Sequence, residues 1–196
     1  IHLLLGARFT DYIMSQRGTI TGVIYNNTQK LFCNSVIIAT GGFAANHNII
    51  TKYRPDLQGI TWTTNTSGSI GDGININEKI GAALMDMDKI QLHPTGFIDP
   101  QNPKSKSKIL APEILRGKGG ILFSTNGHRF CNELGRRDEI VDAMNQTGSH
   151  VFFIVLTQNM MDQIDSSKFY VDKGLLKKMK NIDELSYYMK INKKLI

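Results

Sequence analysis

An α/β fold is predicted by three features of the chain. These are two β-rich runs joined by turn-forming residues, a wholly apolar run that ends in glycines, and helix-period segments from about residue 46 onward. Gly22-Val23-Ile24-Tyr25 and Lys30-Leu31-Phe32-Cys33 flank Asn26-Asn27-Thr28-Gln29, so a β-hairpin is expected there. Val36-Ile37-Ile38-Ala39 carries no polar side chain, which suits a strand buried on both faces. It leads into Thr40-Gly41-Gly42, where missing side chains let a backbone pass close to a ligand. The carboxyl end of a sheet strand is where open α/β folds take their ligands. Ahead of the hairpin, His2-Leu3-Leu4-Leu5 is short and apolar and reads as a further strand, and the residues after it read as a polar link.

Beyond Phe43 the pattern changes. Asn46 is placed to cap a short helix running to Lys52, and Arg54-Pro55-Asp56 ends it. Residues 63–73 are rich in Thr, Ser, Asn and Gly and read as a long loop. Asp72 then opens a helix carrying Ile74, Ile76, Ile80, Ala83 and Leu84. Residues 89–94 should be extended, since a residue before proline avoids the helical region. Residues 99–108, with two prolines and three lysines, form an expected exposed loop, and residues 109–116 a helix or turn. A second hairpin is expected between Ile121-Leu122-Phe123 and the residues around Phe130, across Asn126-Gly127. Residues 136–145 have helical periodicity, 151–156 form an apolar strand, and two further helices follow.

A length of 196 residues suits one domain or parts of two. The chain opens on Ile1 in place of methionine, so a processed product or a piece of a longer protein is expected. No apolar run approaches the ~20 residues that span a bilayer, so this stretch carries no membrane segment. Cys33 and Cys131 are far apart and in no C-x-x-C pattern, which argues against a disulfide framework and against a metal site. Two reduced thiols in a soluble intracellular protein, cytoplasmic or mitochondrial, is the expectation. The net charge of +6 is concentrated at the end, where eight lysines from Lys168 onward face only Asp172, Asp183 and Glu184. These lysines alternate with Leu175, Leu176, Met179, Leu185 and Tyr188 at helical spacing, so a solvated helical face is expected and no nucleic-acid partner.

His93, Glu113, Arg116, Glu133, Arg136, Arg137 and Asp138 lie near glycines or turn residues rather than in amphipathic patterns. Arginines near a histidine suggest a pocket for carboxylates, because guanidinium binds them through two parallel hydrogen bonds. Taken singly, Arg-Arg-Asp is as well read as a surface ion pair, and a histidine before proline as structural.

Five motifs stand in order: Ala39-Thr40-Gly41-Gly42-Phe43; Gly71-Asp72-Gly73; Gln91-Leu92-His93-Pro94-Thr95; Glu113-x-x-Arg116-Gly117-x-Gly119-Gly120; and Arg129-Phe130-x-Asn132-Glu133-x-x-x-Arg137-Asp138. This series resembles the fumarate reductase/succinate dehydrogenase flavoprotein family over nearly the whole chain. It is most similar to the soluble branch of eukaryotic-type and flavocytochrome-like fumarate reductases. Phe130 and Arg137 are seven residues apart, without the longer insert of the membrane-bound enzymes.

The resemblance implies a central fragment, incomplete at both ends. Residues 1–43 would be a remnant of a Rossmann-like FAD-binding domain and residues 44–196 most of an α+β capping domain that closes over substrate. Ala39, Thr40 and Gly41 would approach the FAD, with Asp72 near the flavin. His93 and Glu113 would bind a small dicarboxylate, fumarate or succinate. Hydride would pass from reduced flavin to one alkene carbon while Arg137 protonates the other, with Glu113 and Arg116 relaying the proton. The resemblance does not identify the electron donor. Pro112 stands where bacterial relatives place a substrate-binding hydroxyl, and the Gly-x-Gly-x-x-Gly fingerprint for the FAD pyrophosphate is missing. The isolated fragment is therefore expected to be inactive. Other carboxylate-handling flavoproteins of the family (aspartate oxidase, succinate dehydrogenase) and a non-catalytic remnant are the alternative readings.

Overall fold

Asn26 and Asn27 both take left-handed backbone, φ 49° and 66°, which asparagine tolerates better than most residues. That turn folds β2 (Ile20–Tyr25) back on β3 (Gln29–Phe32), with Tyr25 opposite Gln29 and Val23 opposite Leu31. The expected hairpin forms, and a further strand joins it. In this computed structural model, which describes residues 2–195, β1 (Phe9–Met14) pairs antiparallel with β2 to give a sheet in the order β1-β2-β3. The stretch expected as a polar link thus holds a strand. Its register slips between Phe9 and Asp11 and again between Ile13 and Met14, so the alternation that would reveal it is broken twice.

The chain divides into two units, residues 1–90 and 91–196. In the first, the Asn46 side chain accepts the Ile49 N–H at 3.2 Å and starts α1 (His47–Tyr53), while its amide donates to the Ile70 carbonyl at 2.8 Å. Gly71, at φ 81°, precedes α2 (Asp72–Lys79). That helix packs on the sheet: the Tyr12 hydroxyl donates to Asn77 Oδ1 at 3.0 Å, and the buried Tyr12 ring meets Phe9 edge-on at 5.0 Å. Two expectations fail here. Residues 2–5 form no strand, and neither does Val36-Ile37-Ile38-Ala39, in which Ile37 is 91% exposed. A strand buried on both faces needs a ladder neighbour and covering layers, and no strand among the described residues pairs with this run.

The second unit holds two small antiparallel pairs. β4 (Gly96–Phe97) pairs with β5 (Ile109–Leu110), leaving residues 99–108 as the loop between them. Residues 109–116 therefore begin as strand and become helix, α3 (Glu113–Gly117), only after Pro112. At the end of α3 a tight reversal brings Gly120 so close to the Leu115 carbonyl that a Cβ would collide with it. The chain then enters β6 (Ile121–Ser124).

The turn expected at Asn126-Gly127 forms, with the Ser124 N–H on the His128 carbonyl at 3.0 Å. The ladder partner of β6 is nevertheless β7 (Phe152–Val155), Leu122 lying opposite Ile154, and the hairpin with Phe130 reduces to one bridge between Phe123 and Arg129. Between the two strands runs α4 (Arg137–Gln146).

After β7 come α5 (Gln158–Met161), α6 (Ser167–Asp172) and α7 (Ile182–Met189), one helix more than expected. Leu175, Leu176 and Met179 lie between α6 and α7, outside any helix, so the helical face expected around them is interrupted. The eight lysines of this stretch, Lys168 through Lys194, are nonetheless all exposed. The core has two clusters that share Ile154 as a neighbour. One joins Phe97, Ala111, Leu115 and Ile164; the other joins Leu122, Ile140 and Met144. Leu115, fully enclosed, contributes roughly 1.5–3 kcal/mol by leaving water.

Candidate active site

α3 carries Glu113 and Arg116 three positions apart, so both project to one side of the helix. Their environments are opposite. Glu113 is largely exposed, whereas Arg116 is 2% exposed. Arg137 is the first residue of α4, and Arg136 just before it has its backbone N–H on Glu139 Oε2 at 2.9 Å. The Asp138 carboxylate pairs with Arg136, which holds its carboxyl down at about 2. Arg137 is thereby left for other partners.

Those partners are Glu113 and Gln91. Nε and Nη2 of Arg137 donate to Glu113 Oε2 at 3.1 and 3.0 Å, and Nη1 donates to Gln91 Oε1 at 2.7 Å. A guanidinium has five N–H groups, so one on Nη1 and one on Nη2 have no acceptor among these contacts.

His93 belongs to the same electrostatic group. Burial pushes its imidazole below the usual histidine value, the Thr95 backbone bond opposes this, and the charges of Arg137 and Arg116 add to the depression. Its Nδ1 sits 3.0 Å from the Thr95 carbonyl and 3.3 Å from the Thr95 N–H. Either tautomer spends Nδ1 on Thr95 and leaves Nε2 for a ligand.

Beneath these residues lies a buried support. Nη1 of Arg116 donates to the Glu133 carbonyl at 2.9 Å, while its Nε and Nη2 are enclosed and without a hydrogen-bond partner. Burial lowers the Arg116 pKa from the usual arginine value, with the Glu113 carboxylate pulling the other way. The Glu133 carboxylate accepts the Leu122 N–H at 2.9 Å and Arg129 Nη2 at 2.6 Å. Burial alone would raise the Glu133 carboxyl, but these bonds bring it below the usual carboxylate value. Glu133 thus ties β6 to the segment that leads into α4. No hydrogen bond joins Arg116 to Glu113 among the described residues; the two interact through charge.

In the first unit, Ala39, Thr40, Gly41 and Asp72 also come together. The Gly71 N–H donates to the Gly42 carbonyl at 3.1 Å, and a Cβ on Gly73 would strike the Thr40 hydroxyl. Only glycine at position 73 lets residues 38–40 lie against the first turn of α2. Asp72 is held by Arg8, whose Nε and Nη2 reach Oδ2 at 2.9 and 2.8 Å.

Ala39, Thr40 and Gly41 are exposed and donate no backbone hydrogen bond among the described residues. Such a stretch fits the edge of a ligand that offers acceptors and donors of its own, as a flavin does. The glycine fingerprint for the pyrophosphate of FAD is not among these residues. A cleft of about 300 Å³ lined by Ile49, Lys52, Tyr53, Ile74, Glu78 and Met87 lies elsewhere in this unit and contains none of the candidate residues.

Sequence reasoning gave Glu133 no role and passed over Gln91 within its motif. The signal for Gln91 was its place two residues before His93. The signal for Glu133 was a carboxylate four residues after Arg129 and four before Arg137.

Residues 4–167 match the family described as FAD binding domain. The chain is 40% identical to a fumarate reductase of Schizosaccharomyces pombe over 148 residues, covering 74% of this chain and 29% of that protein. It is 37% identical to fumarate reductase 1 of Saccharomyces cerevisiae over 197 residues, covering 96% of this chain and 42% of that protein. The chain therefore spans less than half the length of these relatives. The open conformation of a flavocytochrome c3 fumarate reductase superposes with a TM-score of 0.75 at 24% identity, covering 96% of this chain and 33% of that one, and shares the fold.

Proposed function

We propose, from the premise that the chain belongs to the FAD binding domain family, that it forms part of a flavin-dependent fumarate reductase yielding succinate. On this reading residues 1–43 belong to the FAD-binding domain, with Ala39, Thr40, Gly41 and Asp72 along one edge of the cofactor. Residues 44–196 belong to the cap over the substrate. The free thiols of Cys33 and Cys131 suit a reducing compartment, cytoplasm or mitochondrial matrix.

The observation that carries the proposal is the hold of a single Glu113 oxygen, Oε2, on both Nε and Nη2 of Arg137, beside His93 and the buried Arg116. When bound and reduced, a flavin would supply the hydride needed at one alkene carbon. The chain's own residues do the rest. His93 Nε2 meets one substrate carboxylate, and the positive end of α4 together with Arg137 favours an anion there. The two free N–H groups of Arg137 present a proton to the other alkene carbon. Glu113, exposed to solvent and already on Nε and Nη2 through Oε2, takes up a proton from water and returns it to Arg137. Hydride and proton together convert the alkene dianion to the saturated one, so charge and atoms balance. Arg116 keeps positive potential under the site without competing for substrate, because it is enclosed.

Substituting Arg137→Ala in the full-length, flavin-loaded protein tests this. Turnover of fumarate should fall by about 10²–10⁴-fold, the range for removing a general acid, while absorbance shows the flavin retained. Unchanged turnover, or flavin lost from an intact fold, contradicts the role. Titrating the purified chain with FAD and looking for a bound yellow chromophore separates a cofactor-holding chain from a non-catalytic module.

A further inference from the structure

We infer that Gln91 is a positioning residue, its neutral amide oxygen fixing the guanidinium of Arg137 in the orientation set by Glu113; the inference rests on the reading of Arg137 as the residue that acts on substrate. Glu113 alone is a poor anchor. It binds the Nε–Nη2 edge, but both side chains are substantially exposed, 59% for Glu113 and 41% for Arg137, so the pair is free to swing together. The contact from Nη1 to Gln91 Oε1 at 2.7 Å adds a third point, from a segment 46 positions away in sequence. Arginine has no acceptor, so the amide of Gln91 must present its oxygen, and the side-chain orientation is fixed by chemistry.

Two consequences follow from the kind of acceptor. Three contacts from two directions hold the guanidinium plane and leave one N–H each on Nη1 and Nη2 for a ligand. An amide also does this without a second negative charge. A carboxylate in the same place would repel the substrate's carboxylates and hold the guanidinium's proton more firmly. Gln91 lies two residues before His93, whose ring is fixed by Thr95. One stretch of backbone therefore sets both the histidine and the orientation of Arg137.

Gln91→Met, of similar length and without a strong acceptor, and Gln91→Glu, which keeps the acceptor and adds charge, test the role. The first readout needs no turnover: solvent exchange of the Arg137 Nε–H by ¹H–¹⁵N NMR on the full chain, the signal identified by its loss in Arg137→Lys. Gln91→Met should speed this exchange by about fivefold or more, and Gln91→Glu should leave it slow.

The second readout is fumarate turnover by the flavin-loaded full-length protein. Gln91→Met should lower kcat by about 10–100-fold, as misplacement of a reacting group does, with KM within about threefold. Gln91→Glu should lose turnover despite slow exchange, a split that a merely structural role does not produce. Exchange and kcat both within twofold in Gln91→Met overturn the inference. So does a change in one without the other while Arg137→Ala is inactive. If Arg137→Ala keeps full turnover, the fumarate reductase reading falls, and unchanged exchange in Gln91→Met would still be needed to remove the contact's positioning role.

Discussion

The two clusters of candidate residues are built on opposite plans. Around Ala39, Thr40 and Gly41 the backbone is exposed and makes no hydrogen bond among the described residues, and the absence of a side chain on Gly73 lets it lie against the turn that carries Asp72. Around Arg137 nearly every contact is side chain to side chain, and the network rests on a buried arginine and a buried glutamate. The first plan suits a large planar ligand that brings its own acceptors and donors. The second suits a small charged ligand, because pre-formed ion pairs fix where charge is welcome before the ligand arrives. Open backbone awaits its partner, whereas the charged cluster is already assembled.

That contrast can be broken most forcefully at the cores. Leu115→Ala should destabilise the second unit by about 2–5 kcal/mol, since the side chain is wholly enclosed and its loss leaves a cavity. Ile37→Ser, on the exposed run of the first unit, should change stability by less than about 0.5 kcal/mol. Urea denaturation of both variants checks the pair, and equal effects would erase the distinction.

Next in size is Gly73→Ala. The added methyl must displace Thr40, at a cost of about 1–3 kcal/mol. Amide shifts in NMR spectra should spread through residues 38–42 and the first turn of α2, and leave the signals of Glu113 and Arg137 in place.

The smallest effect concerns His93. Folding disfavours its imidazolium, so the unfolded chain binds more protons once the pH drops toward the ordinary histidine value near 6.5. The stability that neutral His93 contributes is therefore present above that pH and is lost as the pH falls through the depressed value. An NMR titration of its ring protons should give a midpoint below 6.5, and His93→Gln should flatten that part of the stability profile. A midpoint above 6.5 would mean that the Thr95 bond and Glu113 together outweigh burial and the two arginines.

Much of this architecture was readable because its signals are local. Asn46 caps α1, Asp72 opens α2, and paired asparagines make the β2–β3 turn, each decided by residues within three or four positions. What escaped depends on distant partners. β6 finds β7 rather than its nearer neighbour because Leu122 and Ile154 share a core with Ile140, a fact no window around Asn126-Gly127 contains. Composition alone makes the apolar run at residues 36–39 look like a strand, but a ladder needs a second chain segment. β1 was hidden by its own register slips. In the candidate site, Arg137, Glu113, Arg116 and His93 were legible as ordered motifs. The roles of Gln91 and Glu133 were not, since a glutamine oxygen 46 residues from its arginine and a carboxylate under a strand are facts of folding rather than of spacing.

The outer side of β3 has a practical consequence. The strand ends the sheet with its outer edge unpaired among the described residues, and Leu31 and Phe32 beside it are 49% and 70% exposed. Such a margin recruits other copies edge to edge, and Lys30 is the sole charge on the strand to discourage it. Solubility of the chain handled alone should therefore fall with concentration, and replacing Leu31 with a second lysine should slow the onset of turbidity.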